Sequence, residues 1–230
     1  MLTVEDLTLR QGAFTLRAAF SIATADRVAV MGPSGAGKST LLALLAGFLD
    51  PVQGRVLWTG REITKAAPGD RPFAMLFQDN NMFPHLTLAQ NVGLGIRPDL
   101  RLSAEQKARV AQALARVGLP DMQARKPAQL SGGQQSRAAL ARILVMDRPL
   151  VLLDEPFAAL GPALKVEMLD LLAEVLDETG AGLLMVSHDP QDARRIAPMT
   201  ILVAEGQAHA PAPTAELLDN PPPALRAYLG

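Results

Sequence analysis

Gly32-Pro33-Ser34-Gly35-Ala36-Gly37-Lys38-Ser39 decides how this chain is read. The octapeptide matches G-x-x-x-x-G-K-[ST] and lies between a short apolar strand, Arg27 to Met31, and a helix expected over Lys38 to Phe48. In that context the glycines let successive backbone N–H groups close around the β- and γ-phosphates of a nucleotide, and the helix N-terminus adds its dipole. Lys38 supplies a point charge to the phosphates, and the Ser39 hydroxyl is placed to ligate Mg²⁺. Taken alone, the octapeptide could be a glycine-rich turn before a helix; the strand in front and the helix behind favour nucleotide binding. A dinucleotide fold is disfavoured because Gly35-Ala36-Gly37 lacks the third glycine, Thr40 standing in its place.

Further along, Leu150-Val151-Leu152-Leu153-Asp154-Glu155 is an apolar strand ending in two carboxylates. Beside a phosphate loop, Asp154 would hold Mg²⁺, directly or through water, and Glu155 would polarise the attacking water. Without that loop, two solvated acids at a strand end are the simpler reading. Between the two anchors stands Leu130-Ser131-Gly132-Gly133-Gln134. By itself it is a helix start, with Ser131 as N-cap and Gln134 three residues on completing a capping box.

The remaining pattern builds outward from these three stretches. Thr3 to Leu9 and Phe14 to Ile22 alternate around a turn at Gln11-Gly12, which suggests an antiparallel hairpin. Val56 to Trp58 and Phe73 to Phe77 read as strands. From about Thr87 to Asp147 the pattern is helical, with a capping box at Ser103/Gln106 opening a helix that ends near Gly118. A helix over Pro162 to Thr179 and strands at Gly182 to Ser187 and Thr200 to Ala204 complete it. Strands alternating with helices argue for a mainly parallel α/β core, with the central helical stretch inserted into it.

Composition narrows the classes. A chain of 230 residues can form one domain with an inserted subdomain. Hydrophobic residues make up 49% and aromatics 4%, so the core must be Leu, Ala and Val. A formal net charge of -1 leaves no basic footprint for nucleic acid. With no cysteine, disulfides and thiolate metal sites are excluded. Met1 to Asp6 lacks a basic start and a long apolar run, so no signal peptide is expected. The longest apolar run, Leu41 to Leu49, falls short of the ~20 residues that a spanning helix needs, and a soluble chain is expected.

The phosphate loop, the LSGGQ stretch and the acidic strand end, in this order, resemble the ATP-binding subunits of ATP-binding-cassette (ABC) proteins, whose signature is LSGGQ. The resemblance runs over essentially the whole chain. It implies a P-loop NTPase (RecA-like) α/β fold: a mainly parallel core and an antiparallel β subdomain from 1–86 and 148–230, and a helical signature subdomain from 87–147. It implies ATP and Mg²⁺ as ligands, with the phosphate loop, Thr40 and Ser131, Gly132, Gly133 and Gln134 binding nucleotide and Glu155 acting on water. Gln78 matches the family's Q-loop glutamine, a contact to Mg²⁺ and water. His188 matches the switch histidine that touches the γ-phosphate. Two copies are expected to dimerise head to tail, each ATP held between one copy's phosphate loop and the other's signature. The dimer would sit peripherally on the cytoplasmic face of the cell membrane and drive a separate integral-membrane permease. A periplasmic binding protein would be an indirect partner, and nucleic acid would not be one.

Among such subunits the chain looks closest to those of bacterial importers. Met75 to Phe83, Leu86 to Gly95 and Leu184 to His188 are similar to the thiamine-importing branch. The motifs also suit the ATPase of another small-solute transporter or of an exporter. A nucleic-acid maintenance ATPase is the rival from another class, but it calls for a long coiled coil or a zinc insertion, and the chain has neither heptads nor cysteines. Three departures from the family stand out. Gly161 ends the D-loop where aspartate is usual, removing a side chain that would reach across the dimer and freeing the loop's backbone. The hairpin region Arg10-Gln11-Gly12-Ala13 lacks an aromatic for adenine, leaving Phe14 as the nearest ring, either stacking on the base or buried in the core. Gln135-Ser136-Arg137 follows the signature where Arg-Gln-Arg is common, with Arg137 retained.

Overall fold

The computed structural model describes residues 1–77 and 82–229. The chain opens with β1 (Leu2–Gln11), β2 (Phe14–Ile22), β3 (Arg27–Met31), α1 (Lys38–Ala46), β4 (Gln53–Trp58), β5 (Arg61–Glu62) and β6 (Phe73–Leu76). A helical stretch follows: α2 (Leu88–Gly93), α3 (Ala104–Arg116) and α4 (Gly132–Met146). Then come β7 (Leu150–Asp154), α5 (Pro162–Thr179), β8 (Gly182–Val186), α6 (Pro190–Ile196), β9 (Met199–Ala204), β10 (Gln207–Ala208), β11 (Ala212–Pro213), α7 (Thr214–Asp219) and α8 (Pro223–Leu229). Contacts divide the chain into two compact units, Met1–Met75 with Pro149–Glu155 and Ala181–Gly230, and Leu76–Arg148 with Pro156–Gly180.

The first unit is built on the sheet, whose strand order is β5-β4-β1-β2-β10-β9-β3-β8-β7-β6, with β11 on β9. At one end β1 pairs antiparallel with β2 and β4. Its alternating pattern puts Leu2, Val4, Leu7 and Leu9 inside, the phase being corrected by a bulge where Asp6 takes φ 45°. At the other end β9, β3, β8 and β7 run parallel. Their runs are continuously apolar because strands in a parallel sheet are covered on both faces, and every residue of β7 and β8 is buried. The three strands that carry the motifs are therefore neighbours in the order β3-β8-β7, with their carboxyl ends on the same edge. Open α/β sheets bind ligands outside that edge. This is the α/β core with an antiparallel β portion that the sequence led us to expect.

One buried charge organises the segment behind the phosphate loop. Arg71 is 1% exposed, and its guanidinium donates to the carbonyls of Leu44 (2.9 Å), Leu45 (2.6 Å), Ala66 (3.0 Å) and Thr64 (2.7 Å). Leu44 and Leu45 belong to the last turn of α1, where carbonyls run short of helical partners; Leu44 has the Gly47 amide at 3.2 Å as well. The guanidinium fork satisfies several at once, which is why a charge is tolerated here. Burial lowers its pKa, an effect opposed by Asp50.

The second unit is helical. Thr87, Ser103 and Ser131 each open a helix with a complete capping box. Asn91, fully buried, accepts from the Phe83 amide (2.7 Å) and donates to the carbonyls of Phe83, Leu86 and Thr87, so it fixes the chain entering α2. The expected boundary kept 148–230 together, whereas 156–180 clusters with the helices. Side chains explain the difference. Arg116 at the end of α3 donates to Glu174 (2.9 Å) and Glu178 (2.5 Å) of α5. Arg137 of α4 binds the Val117 carbonyl (3.0 Å) and pairs with Glu167 of α5. No helix among the described residues is long and apolar enough to cross a membrane.

Candidate nucleotide site

At the end of β3 the chain turns into a loop whose glycines are dictated by their surroundings. A Cβ on Gly32, which takes φ 148°, would collide with the carbonyl oxygen of Val203. Gly37 takes φ 103°, and a Cβ there would lie 2.7 Å from Cζ of Phe14. Both positions combine left-handed backbone with close approach, so only glycine serves. Gly37 is also the N-cap of α1 and offers no side chain to the helix, and the first turn carries no acid. The first-turn amides therefore keep their capacity for an anion, which the helix dipole favours.

Pro33, Ser34, Gly35 and Ala36 form the loop's half-exposed to exposed crown. Lys38 is buried, and its ammonium donates to the carbonyls of Gly32 (2.8 Å) and Pro33 (2.9 Å), so the charge is held at the mouth of the loop. Burial lowers its pKa, partly offset by the nearby carboxylates of Glu155 and Asp154. Ser39 is exposed and donates to Oδ1 of Asp154 at 3.0 Å. Thr40 follows on α1, half-buried.

The acids stand where the strand order puts them. Burial raises the pKa of the Asp154 carboxyl; the Ser39 hydroxyl and Lys38 work against that, and Glu155 adds to it. A desolvated carboxylate sharing a hydroxyl with the phosphate loop is suited to a divalent cation, whose charge would reverse the effect of burial. Among the described residues no three acidic or imidazole side chains converge on one point. An ion here would thus be shared by Ser39 and Asp154 with phosphate oxygens and water, as Mg²⁺ generally is.

Glu155 takes φ 46°, a left-handed conformation that is strained for a non-glycine residue. Its amide donates to the Val186 carbonyl (3.1 Å), and its Oε2 lies 3.3 Å from Nδ1 of His188. His188 follows β8, and its side chain is 54% exposed. The preceding Ser187 is pinned, donating to Asp192 at 2.7 Å and receiving the Asp189 amide at 3.1 Å. Lys38, Ser39, Asp154, Glu155 and His188 are thus brought to one edge of one unit. Gln78, the expected Q-loop glutamine, lies outside the described residues.

The signature lies in the second unit. Ser131 and Gly132 are exposed, whereas Gly133 is buried. Ser131 Oγ accepts from the Gln134 amide (3.3 Å), and the Gln134 side chain receives the Ser131 amide (3.0 Å). Because that hydroxyl serves as an acceptor in the cap, its proton is left to donate outward. The two glycines differ in what holds them: a Cβ on Gly133 would meet Leu164 at 2.6 Å, but one on Gly132 would meet nothing within 4 Å.

Two of the departures can be placed. Phe14 is half-buried against the core, its ring tip over Gly37, so it props the phosphate loop from beneath. Gly161 is the N-cap of α5 at φ -65°, ψ 157°, a conformation open to any residue, so the extra freedom expected of glycine goes unused. A Cβ there would meet nothing within 4 Å. We therefore expect Gly161→Asp to fold normally and to gain a few tenths of a kcal/mol from the new cap. The same variant is expected to raise the Hill coefficient for ATP, which should otherwise be close to that of independent sites. Melting curves and ATPase titrations check both; a lower melting temperature, or cooperativity identical in the two proteins, would count against the reading. Sequence reasoning missed Arg71 and Tyr228, whose hydroxyl donates to the His188 carbonyl at 2.9 Å. Neither sits in a motif, and contacts made through folding alone leave no local signal.

A phosphate loop on one parallel strand and an acidic end on the next but one are the arrangement of a P-loop nucleoside triphosphatase. A family model described as ABC transporter matches residues 16–158, and the chain belongs to that family. It is 64% identical to the thiamine import ATP-binding protein ThiQ of Ruegeria sp. (strain TM1040), over the full length of both chains. It is 62% identical to the protein of that name from Cereibacter sphaeroides, again over all of both. Among solved structures, a dimeric post-hydrolysis state of the ATP-binding cassette MJ0796 bound to ADP and Pi matches with a TM-score of 0.80. That match has 28% identity and covers 93% of this chain and 99% of the other. The chain is an ATP-binding ABC ATPase.

Proposed function

We propose that two copies of this chain form the ATP-hydrolysing pair of an importer for thiamine or a thiamine phosphate. The observation that carries the ATPase reading is the convergence of Lys38, Ser39, Asp154, Glu155 and His188 at the carboxyl ends of β3, β7 and β8. Thiamine rests on full-length likeness to the two import proteins. The pair would sit on the cytoplasmic face of the cell membrane against a separate permease, fed by a periplasmic binding protein.

In this reading the loop amides and Lys38 bind the β- and γ-phosphates. Ser39 and Asp154 would hold Mg²⁺, which when bound supplies positive charge to those phosphate oxygens. Gln78 is assigned to the same ion and to water by family likeness. Glu155 accepts a proton from a water whose oxygen attacks the γ-phosphorus, and the bond to the bridging oxygen of ADP breaks. His188 turns Nδ1 toward Glu155, which leaves its other ring nitrogen for the γ-phosphate. A second copy contributes Ser131, Gly132, Gly133 and Gln134. The space beside Gly132, which no described residue of its own chain fills, suits a phosphate brought by the partner. Closure on ATP would switch the permease, and hydrolysis would reopen the pair.

Lys38→Ala is the first test, because it deletes the charge at the loop mouth. Calorimetry with Mg-ATP should record a large loss of affinity, and unchanged affinity would remove Lys38 from the site. The substrate is tested by reconstituting the pair with its permease and binding protein in liposomes. Thiamine should stimulate ATP turnover there, and stimulation by an unrelated solute instead would overturn the assignment.

A further inference from the structure

The last described helix, α8, is anchored by Leu225, which is completely buried. It carries Tyr228, the chain's single tyrosine, whose hydroxyl donates to the carbonyl of His188 at 2.9 Å. That carbonyl belongs to the residue whose ring lies 3.3 Å from Glu155. On its other side the loop is held by Ser187, through Asp192 and the Asp189 amide. His188 itself has a 54% exposed side chain, so little packing restrains its ring. Its orientation depends on where the backbone holds it. We infer that Tyr228 is a positioning residue for ATP hydrolysis: by clamping the His188 carbonyl, it keeps the imidazole turned toward Glu155.

Two further observations agree. Burial, with Glu155 and Asp189 nearby, raises the pKa of the Tyr228 phenol. The hydroxyl thus keeps its proton and remains a donor. Its reach to a carbonyl, and not to the Glu155 carboxylate, leaves that acid free for water. The inference rests on the assignment of His188 and Glu155 to ATP hydrolysis, and it adds that the C-terminal helix is part of the switch.

Tyr228→Phe removes one hydroxyl and keeps the ring, so the fold is retained. We expect the variant's kcat for ATP to fall about 2–10-fold, the usual consequence of losing one hydrogen bond, while KM for ATP and the melting temperature hold. In a His188→Ala background the same change should cause no further loss, since the clamp then has no ring to position. Independently of activity, the His188 imidazole signal in a ¹H–¹³C spectrum should shift or broaden while those of the other two histidines, His85 and His209, stay put. An unchanged kcat, an additional loss on top of His188→Ala, or an unmoved His188 signal would each overturn the clamp. If the unmodified protein fails to hydrolyse ATP, the ATPase assignment fails instead, and the imidazole signal still decides whether Tyr228 holds the loop.

Discussion

Glu155→Gln is expected to lower ATP turnover by about 10²–10⁴ while leaving ATP bound, because it removes the base and keeps the shape. The substitution is close to isosteric, and glutamine can keep an oxygen facing His188 in place of the carboxylate now at 3.3 Å. The backbone at φ 46° is no worse for glutamine than for glutamate. Lys38, Ser39 and Asp154 are untouched, so phosphate and metal binding should survive. With chemistry blocked after binding, the ATP-bound pair should accumulate and elute as a dimer in gel filtration with Mg-ATP. Turnover close to that of the unmodified protein would remove Glu155 from its role. Loss of ATP binding together with turnover would show that its carboxylate supports the site and does not act on water.

The largest effect on stability is expected at Arg71. Arg71→Leu would strip four carbonyls, those of Leu44, Leu45, Thr64 and Ala66, of their shared donor. The Leu44 carbonyl keeps the Gly47 amide (3.2 Å), but each of the other three loses its donor at about 1–3 kcal/mol, and partial relaxation leaves a net loss of roughly 3–5 kcal/mol. In a chain of this size that corresponds to a fall in melting temperature of roughly 6–20 °C. Arg71→Lys should recover only part of it, since one ammonium cannot reproduce the planar fork. Thermal denaturation followed by circular dichroism decides: a melting temperature within a degree or two of the original, about what a surface substitution gives, would show the network to be dispensable.

Much of the fold was legible because each decisive element carries its own local signal. β7 and α5 run from Leu150 to Asp154 and from Pro162 to Thr179, the limits that apolar run, proline and glycine mark in the sequence. Ser103 and Ser131 form the capping boxes that their spacing to Gln106 and Gln134 announces. The local conformation at Gly32 and Lys38 was equally readable, since a motif is a record of local conformation. What escaped depends on distance. Arg71 looks like any surface charge until α1 is folded over it, and Tyr228 meets a residue 40 positions away. The grouping of 156–180 with the helices was not legible for the same reason: the charge complement of α5, Glu167, Glu174 and Glu178, lies on α3 and α4, and no periodicity in α5 reports that.

The left-handed backbone of Glu155 carries a consequence for the history of such chains. Holding a side-chain-bearing residue at φ 46° costs about 1–2 kcal/mol, and glycine in its place would relieve most of it. At this one codon, drift toward a sturdier fold and the demand for turnover pull in opposite directions. Glu155→Gly is therefore expected to keep the fold and ease the backbone while removing the proposed base, so that stability and turnover move in opposite directions at this position.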